Sequence, residues 1–381
     1  MKVDFYKHSL DDRDIDNVVN TLKSPFLTTG EVVRLFEKKI CHIFNVKYAV
    51  ACNSWTNMGH LVLKSWGIGP GDEVIVPPIT FASTATIVSM LGATPIFCDV
   101  EEDTGLMNLN LVKGLINKKT KAIIPVHLYG NIVNISALRE IINKTHPNIK
   151  ILEDAAHSFE SKKNNQRVGY GSDAAIFSFY ATKNLTCGEG GALVTNDEEL
   201  AEYCRIGTMA GTTKSAFERL INNRYEHYEV VQLSGKYNMT NISASLLIDQ
   251  IDRLPNLLQK RKKVYNLYLK YLHETNNIQI PKISKGVESA HHLFVILLQP
   301  NIREKVLDDL AKLQIGVAIN FKAVHQLKVF KDLYDYPLGM LPVSEDWGER
   351  CISLPFHASL TEEEIIYITN YFNNDYQKYF I

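Results

Sequence analysis

Short apolar runs alternate with amphipathic stretches from about residue 46 to residue 196. The apolar runs predict buried strands at residues 48–52, 73–76, 95–98, 122–126, 149–152, 174–179 and 192–195. The amphipathic stretches predict helices at residues 57–66, 83–91, 109–116 and 135–145. Because strands and helices alternate, we expect an α/β fold with a large, mostly parallel seven-stranded sheet and helices on both faces.

Further helical patterns flank this region. Residues 10–22 and 32–44 predict two helices before it, and residues 242–272 predict a long helix after it, interrupted by Pro255. Residues 206–233 show weak periodicity and predict a long loop. A long loop within a compact domain is often functional.

The last third of the chain predicts a smaller α+β unit. Its predicted strands and helices lie at residues 292–298 and 316–320, and at residues 302–313 and 361–372. A chain of 381 residues is too long for one simple core. We therefore predict a large domain over residues 1–250 and a small domain over residues 251–381.

Charge and composition narrow the classes of partner. The chain carries 41 lysines and arginines against 42 aspartates and glutamates, so neither nucleic acid nor an anionic membrane is expected. The six cysteines are scattered without CxxC spacing, and no metal site is predicted. The N-terminus lacks the apolar segment of a secretory signal, and no apolar run approaches membrane-spanning length. We expect a cytoplasmic protein with reduced thiols.

An aspartate and a lysine follow two of the predicted strands. Asp154 closes the run Ile151-Leu-Glu-Asp154, and Lys183 lies between the run 174–179 and the turn Gly188-Glu-Gly-Gly191. In open α/β sheets, ligands bind at the carboxyl ends of the strands. A lysine that forms a Schiff base and a carboxylate that keeps a pyridine nitrogen protonated suit pyridoxal 5′-phosphate (PLP). We predict catalytic roles for both; a solvated lysine and an N-capping aspartate are the structural alternatives.

Two ring-bearing residues are candidates for the same pocket. His157, three residues after Asp154, would pack on the cofactor ring or contact its phenolic oxygen. Its alternative is a histidine satisfied within the core. Phe81 is a candidate for stacking on the pyridine ring, and its alternative is an ordinary core phenylalanine.

A phosphate site is predicted where the first strand runs into the helix at residues 57–66. Backbone N–H groups at a helix N-terminus, together with the Thr56 hydroxyl, form an anion site. Ser178, near the end of its strand, would add a second hydroxyl. Simple capping of the helix by Ser54 and Thr56 is the alternative interpretation.

Three other patterns predict no site. Gly169-Tyr-Gly-Ser-Asp-Ala174 precedes a strand, whereas a dinucleotide fingerprint opens a helix. His291-His292 begins a strand pattern without a carboxylate or cysteine at metal-ligand spacing. Lys260-Arg-Lys-Lys263 lies on a predicted helix, and we interpret it as a solvated face.

With these motifs in place, the chain closely resembles the DegT/DnrJ/EryC1/StrS family of sugar aminotransferases, which are fold-type-I PLP enzymes similar to aspartate aminotransferase. The resemblance covers nearly the whole chain in order. It rests on Leu27-Thr-Thr-Gly30, Asp72-Glu-Val-Ile-Val-Pro77, Thr120-Lys-Ala-Ile-Ile-Pro-Val-His-Leu-Tyr-Gly130, Glu153-Asp-Ala-Ala-His157, Phe177-Ser-Phe-Tyr-Ala-Thr-Lys183, Gly188-Glu-Gly-Gly-Ala-Leu-Val-Thr-Asn196, Lys236-Tyr-Asn-Met-Thr240 and Ile352-Ser-Leu-Pro-Phe-His357.

The resemblance implies roles for individual residues around the cofactor. Lys183 matches the Schiff-base lysine, Asp154 the partner of the pyridinium nitrogen, and His157 a ring contact. The family pattern also carries phosphate contacts, which here fall on Thr56, Asn57 and Ser178.

The resemblance further implies a homodimer with active sites at the subunit interface. Lys236 and Asn238 match a segment that reaches the cofactor phosphate from the partner subunit, although Lys236 often corresponds to an asparagine. Asn320 replaces a histidine that commonly begins its segment in the family. The candidate substrate contacts are Thr29, Tyr180, Glu189, Asn320 and His325.

The resemblance as a whole is greatest to members that aminate C4. The expected reaction moves an amino group from L-glutamate to a dTDP- or UDP-linked 4-keto-6-deoxyhexose, giving a 4-amino-4,6-dideoxy sugar of the viosamine type for glycan or glycoconjugate biosynthesis. A 3-keto-sugar aminotransferase and a non-catalytic sugar-binding or regulatory relative are the alternatives. Related dehydratases typically carry a histidine at the position of Lys183, which argues against that activity here.

Overall fold

The computed structural model describes residues 1–213, 227–273 and 275–380 of the chain. The helices within these residues are α1 (Asp12–Leu22), α2 (Glu31–Phe44), α3 (Trp55–Ser65), α4 (Ser83–Met90), α5 (Leu109–Leu115), α6 (Ile135–Thr145), α7 (Glu198–Thr208), α8 (Asn241–Asp252), α9 (Leu254–Leu272), α10 (Arg303–Lys312), α11 (Lys328–Tyr334), α12 (Pro342–Arg350) and α13 (Glu362–Asn370). The strands are β1 (Tyr48–Cys52), β2 (Glu73–Val76), β3 (Thr94–Phe97), β4 (Thr120–Ile123), β5 (Lys150–Asp154), β6 (Lys162–Lys163), β7 (Gln166–Arg167), β8 (Ala174–Ser178), β9 (Gly191–Thr195), β10 (Val287–Glu288), β11 (Phe294–Leu297) and β12 (Cys351–Leu354).

The large sheet has, within the described residues, seven strands in the order β1-β9-β8-β5-β4-β2-β3. This confirms the predicted α/β architecture. The strand β9 pairs antiparallel with both β1 and β8, while the other neighbours pair parallel. Since β9 reverses the direction twice, β1, β8 and β5 all run the same way. Their carboxyl ends, at Cys52, Ser178 and Asp154, therefore open on one edge of the sheet.

Apolar side chains cover both faces of this sheet. Along β1, Val50 belongs to the core beneath α3 and α4, whereas Ala49 and Ala51 belong to the core beneath α2 and α8. Along β9, Leu193 and Val194 divide between the same two cores. Burial on both faces explains why these strands are continuous apolar runs, which is typical of strands in parallel sheets.

The C-terminal part contains a separate antiparallel pair, β11 with β12. Apolar side chains from α9, α10 and α13 pack around this pair. The predicted strand at residues 316–320 is wrong. The backbone of this segment bonds to two different parts of the chain: Gly316 N donates to Val3 O (2.8 Å), and Ala318 exchanges two hydrogen bonds with Ser353. No continuous ladder forms there.

The long-loop prediction for residues 206–233 is only partly met by the structure. Residues 206–208 belong to α7, so the loop begins later than predicted. Residues 214–226 of this prediction lie outside the described residues. On either side, Thr212 forms a bridge with Val230, and Met209 forms one with Lys236.

The helix predicted at residues 242–272 is divided into α8 and α9 at Arg253, and Pro255 lies in the first turn of α9. Proline fits this position because a backbone N–H in the first helical turn has no intrahelical acceptor, so no hydrogen bond is lost. Among the described helices, none combines the length and apolar character needed to cross a membrane.

Candidate active site

A cavity of about 560 Å³ opens at the edge of the sheet where β1, β8 and β5 end. This volume lies in the usual range for small-molecule sites. The sequence-predicted residues that line it are Thr56, Phe81, Asp154, His157, Ser178, Tyr180, Lys183, Glu189 and Asn320. The fold thus brings together residues from β5, β8, α3 and four loops.

Asp154 ends β5 with its side chain buried in the cavity wall. Thr84 Oγ1 donates a hydrogen bond to its Oδ2 atom (2.9 Å), and Ala156 N donates to its Oδ1 atom (3.2 Å). Burial raises the pKa of this carboxyl, while the two hydrogen bonds and the charge of Lys183 act in the opposite direction. A buried carboxylate held in this way is suited to stabilise a positive charge in front of it.

Lys183 lies on the loop between β8 and β9. Its backbone N donates to Tyr180 O (2.9 Å), and Gln250 of α8 hydrogen-bonds both the N–H and the C=O of Thr186 on the same loop. Burial lowers the pKa of the Lys183 ammonium to about 8, with attraction to Asp154 opposing the shift. A larger share of the amine is therefore uncharged and nucleophilic than for an exposed lysine.

His157 is buried beside these two groups. Its Nδ1 atom accepts a hydrogen bond from Tyr129 N (3.3 Å), and its ring lies nearly parallel to that of Phe321, with centroids 6.0 Å apart. Burial lowers the pKa of His157 well below the usual histidine value, and the charge of Lys183 adds to this effect. His157 is therefore a neutral ring facing the cavity.

The N-terminus of α3 faces the cavity from the end of β1. Ser54 Oγ accepts a hydrogen bond from Asn57 N (3.2 Å), so Ser54 caps the helix as the capping interpretation predicts. Thr56 Oγ1 donates to Ser83 Oγ (2.9 Å). A Cβ atom on Gly191 would lie 2.8 Å from the backbone of Ser54, so only glycine permits this close approach of β9. The positive end of the α3 dipole is left facing the cavity.

Five predicted residues do not line the cavity. The Asn57 side chain donates to Asn53 Oδ1 (2.9 Å) and turns along the helix start. His325 is buried near Phe97 and pairs with Glu345 (3.3 Å). The remaining three, Thr29, Lys236 and Asn238, form a separate polar cluster.

This polar cluster lies outside the cavity. Asn238 Nδ2 donates to Thr29 Oγ1 (2.7 Å), and the Lys236 ammonium donates to Asn238 Oδ1. The Lys236 side chain is exposed. The cluster stays close to the α3 N-terminus, because Asn53 N donates to Tyr237 O (2.7 Å).

Sequence reasoning missed several residues that line the cavity: Phe5, Thr84, His292 and Phe321. Phe5 belongs to an N-terminal segment with no recognisable motif, and it reaches the site because Val3 pairs with Ile315. Thr84 lies in a helix whose pattern is mainly apolar. In the sequence His292 stands beside His291 without metal-ligand spacing, and its neighbours in space are distant in sequence.

Comparisons with known proteins agree with this geometry. The model of the DegT/DnrJ/EryC1/StrS aminotransferase family matches residues 8–373. The chain is 34% identical over 359 residues to the spore coat polysaccharide biosynthesis protein SpsC of Bacillus subtilis, covering 92% of this chain and 91% of that protein.

Two solved structures have the same fold. One is Spr1654 of Streptococcus pneumoniae, assigned as a sugar aminotransferase, in its PLP form: 30% identity, a TM-score of 0.92 and 99% coverage of both chains. The other is Helicobacter pylori PseC, an aminotransferase involved in the biosynthesis of pseudoaminic acid: 29% identity, a TM-score of 0.88, and coverage of 97% of this chain and 98% of that one.

The residues of the cavity fit PLP. A lysine amine, a buried carboxylate and a capped helix N-terminus supply the three groups that its aldehyde, pyridine nitrogen and phosphate need. The close approach of Gly191 to Ser54 keeps the space in front of α3 free of a side chain. The chain belongs to the DegT/DnrJ/EryC1/StrS aminotransferase family and is a PLP-dependent aminotransferase with the fold of sugar aminotransferases.

Proposed function

We propose that this protein transfers the amino group of L-glutamate to C4 of a dTDP- or UDP-linked 4-keto-6-deoxyhexose, giving a viosamine-type 4-amino-4,6-dideoxy sugar. The observation that carries the transaminase assignment is the Lys183 amine facing Asp154 in the cavity. SpsC acts in polysaccharide biosynthesis and PseC in the biosynthesis of pseudoaminic acid. These relatives support a sugar acceptor destined for a glycan.

PLP supplies, when bound, an electron sink that stabilises negative charge on the carbon next to the transferred nitrogen. Asp154 would hold the proton on the pyridine nitrogen, because its carboxylate form is stabilised by hydrogen bonds from Thr84 and Ala156. Lys183 Nζ, as a free amine, would take the proton from Cα of glutamate and, as an ammonium, give it to C4′ of the cofactor. In the second half-reaction it would move a proton from that atom to C4 of the sugar.

Several residues orient the reactants in this proposal. The α3 N-terminus, with Thr56 and Ser178, would bind the phosphate. His157 and Phe81 would contact the ring, and Phe81 is 64% exposed. Tyr180, Glu189 and Asn320 line the cavity and are proposed to contact the sugar or the glutamate.

We also propose a homodimer with shared active sites. Lys236 and Asn238 lie outside the cavity of their own chain, and the Lys236 ammonium is exposed. An exposed cation is suited to meet an anion offered by a second subunit. Thr29, which is hydrogen-bonded to Asn238, would enter the partner's site together with it.

The cysteines are all free thiols, which supports a location in the reducing cytoplasm.

The decisive experiment for the acceptor is isotope transfer. PLP-loaded protein is incubated with ¹⁵N-glutamate and a panel of 3-keto and 4-keto dTDP- and UDP-sugars, and the new C–N bond is located by NMR. We expect ¹⁵N on C4 of a 4-keto-6-deoxyhexose, and none with Lys183→Ala. Label on C3 of a 3-keto sugar would replace the proposed position, and no transfer to any sugar would refute the sugar acceptor.

A further inference from the structure

His292 is a second histidine in the wall of the active site. It lines the cavity, is 3% exposed, and packs its ring on that of His157 with centroids 4.3 Å apart. It enters the site from the segment just before β11, far from His157 in sequence. Both histidines are buried, so neither is a solvent-exposed surface residue.

Asn184, the residue after Lys183, holds the His292 ring. The Asn184 Nδ2 atom donates to Glu160 Oε1 (3.0 Å) and to Ala290 O (2.9 Å). These two acceptors fix the orientation of the amide, so Asn184 Oδ1 is the atom that meets His292 Nδ1, at 3.1 Å. An oxygen can only accept, and therefore His292 carries its hydrogen on Nδ1.

The two adjacent imidazoles, whose planes are tilted by 32°, then have opposite tautomers. His157 Nδ1 accepts from Tyr129 N, so the hydrogen of the neutral His157 ring lies on Nε2. His292 has its hydrogen on Nδ1, so its Nε2 lone pair is free. Within the described part of the chain, neither Nε2 atom has a hydrogen-bond partner. Adjacent rings in the cavity wall thus carry one hydrogen-bond donor, His157 Nε2–H, and one acceptor, His292 Nε2.

The backbone around His292 is also fixed. Arg261 Nη1 donates to the carbonyls of His291 (3.2 Å) and His292 (3.3 Å). Arg261 is 3% exposed, so the Lys260–Lys263 cluster is not wholly a solvated face as the sequence predicts. Glu160 attracts Arg261 and also accepts a hydrogen bond from Asn184. It thereby links the residue that holds the His292 backbone to the residue that holds the His292 ring.

Burial is consistent with two neutral rings. It lowers the pKa of His292 well below the usual value, and the nearby His157, Lys183 and Arg261 act in the same direction. Glu160, on the other side of Asn184, is the carboxyl that hydrogen-bonds within this network. A charged His292 would stand beside the amine of Lys183 and oppose its protonation.

We propose that His292 is a positioning residue of the active site. Through Asn184 it fixes the backbone that carries Lys183, and through its ring it holds His157 with its Nε2–H directed to the cavity. The proposal rests on the proposed role of Lys183 but not on the identity of the sugar. It is therefore tested in the glutamate half-reaction alone.

The first test compares variants by the rate at which glutamate bleaches the yellow PLP-loaded protein. His292→Phe keeps a ring but loses the bond to Asn184, and we expect the rate to fall roughly tenfold to a hundredfold. The glutamate concentration giving half the maximal rate stays unchanged. His292→Asn places an amide where Nδ1 lies and recovers part of the rate. His291→Asn is the matched control and bleaches normally.

The second test needs no variant to be active. Protein labelled with ¹⁵N-histidine is examined by NMR, and the His292 signals are assigned by their loss in His292→Asn. We expect a neutral Nδ1–H form for His292 and a neutral Nε2–H form for His157. The opposite tautomer for His292, an imidazolium near neutral pH, or an unchanged bleaching rate in His292→Phe each overturns the proposal. If glutamate bleaches no variant and not the parent protein, the proposed function fails instead.

Discussion

The pH behaviour of the site is set by one amine. Lys183 has a pKa lowered to about 8 because it is buried, and Asp154 prevents a larger shift. Above about pH 8 the amine is therefore mostly uncharged and able to attack an aldehyde, and below that pH it is mostly protonated and unreactive. An exposed lysine reaches that state only near its ordinary pKa, which is about 10.4.

Binding of PLP to the apoprotein therefore has a predictable pH profile. The rate at which yellow colour develops is expected to rise about tenfold per pH unit up to pH 8 and then level off. Stopped-flow absorbance at a series of pH values measures it, with Lys183→Ala as the colourless control. A rate that keeps rising toward the ordinary lysine pKa would contradict the buried, lowered pKa.

The N-terminus of α3 is the element on which the proposed phosphate site depends. Ser54 caps the helix, and this structural role is compatible with an anion site in front of the same turn. The two roles are separable because aspartate is also a good capping residue but carries a negative charge.

Two substitutions at Ser54 separate capping from phosphate binding. Ser54→Asp is expected to keep the cap, with a change in unfolding free energy within about 0.5 kcal/mol, and to weaken PLP binding about tenfold or more by charge repulsion. Ser54→Ala is expected to cost about 1 kcal/mol of stability and to change PLP binding less. Denaturant unfolding and PLP titration measure both. Equal PLP affinity in the two variants would argue that no phosphate lies at this turn.

The elements that sequence reasoning could predict are those buried on both faces. Strands such as β1, β5 and β9 each lie between two cores, so their apolar runs are visible without knowing their neighbours. Asp154 and Lys183 were predicted for the same reason, since Asp154 is the last residue of β5 and Lys183 lies on the loop that follows β8. The strand predicted at residues 316–320 does not form, because Gly316 and Ala318 each pair with a different distant segment.

What sequence reasoning could not reach depends on contacts between distant segments. Phe5 lines the cavity because residue 3 pairs with residue 315, a contact that no local periodicity records. The tautomer of His292 depends on Asn184, which the fold brings to it from another loop. The division into residues 1–250 and 251–381 stays a prediction, supported by the separate core around β11 and β12.

At the scale of the whole molecule, the proposed shared sites make a specific prediction for mixed dimers. Lys183→Ala and the double variant Lys236→Ala, Asn238→Ala are each expected to have little activity. After mixing and subunit exchange, half of the dimers are hybrids with one complete site, so about a quarter of the normal activity returns. The control is each variant mixed with itself, which gains nothing. No recovery, despite exchange shown by native mass spectrometry, would place the whole site within one chain.

The central claim is that Lys183 holds PLP, and the most direct measurement locates the cofactor on the chain. PLP-loaded protein is reduced with borohydride, digested and analysed by mass spectrometry. We predict that the added mass of the cofactor is found on the peptide containing Lys183, and that treatment with glutamate before reduction removes it. The same mass on another lysine, or on none, would contradict the account.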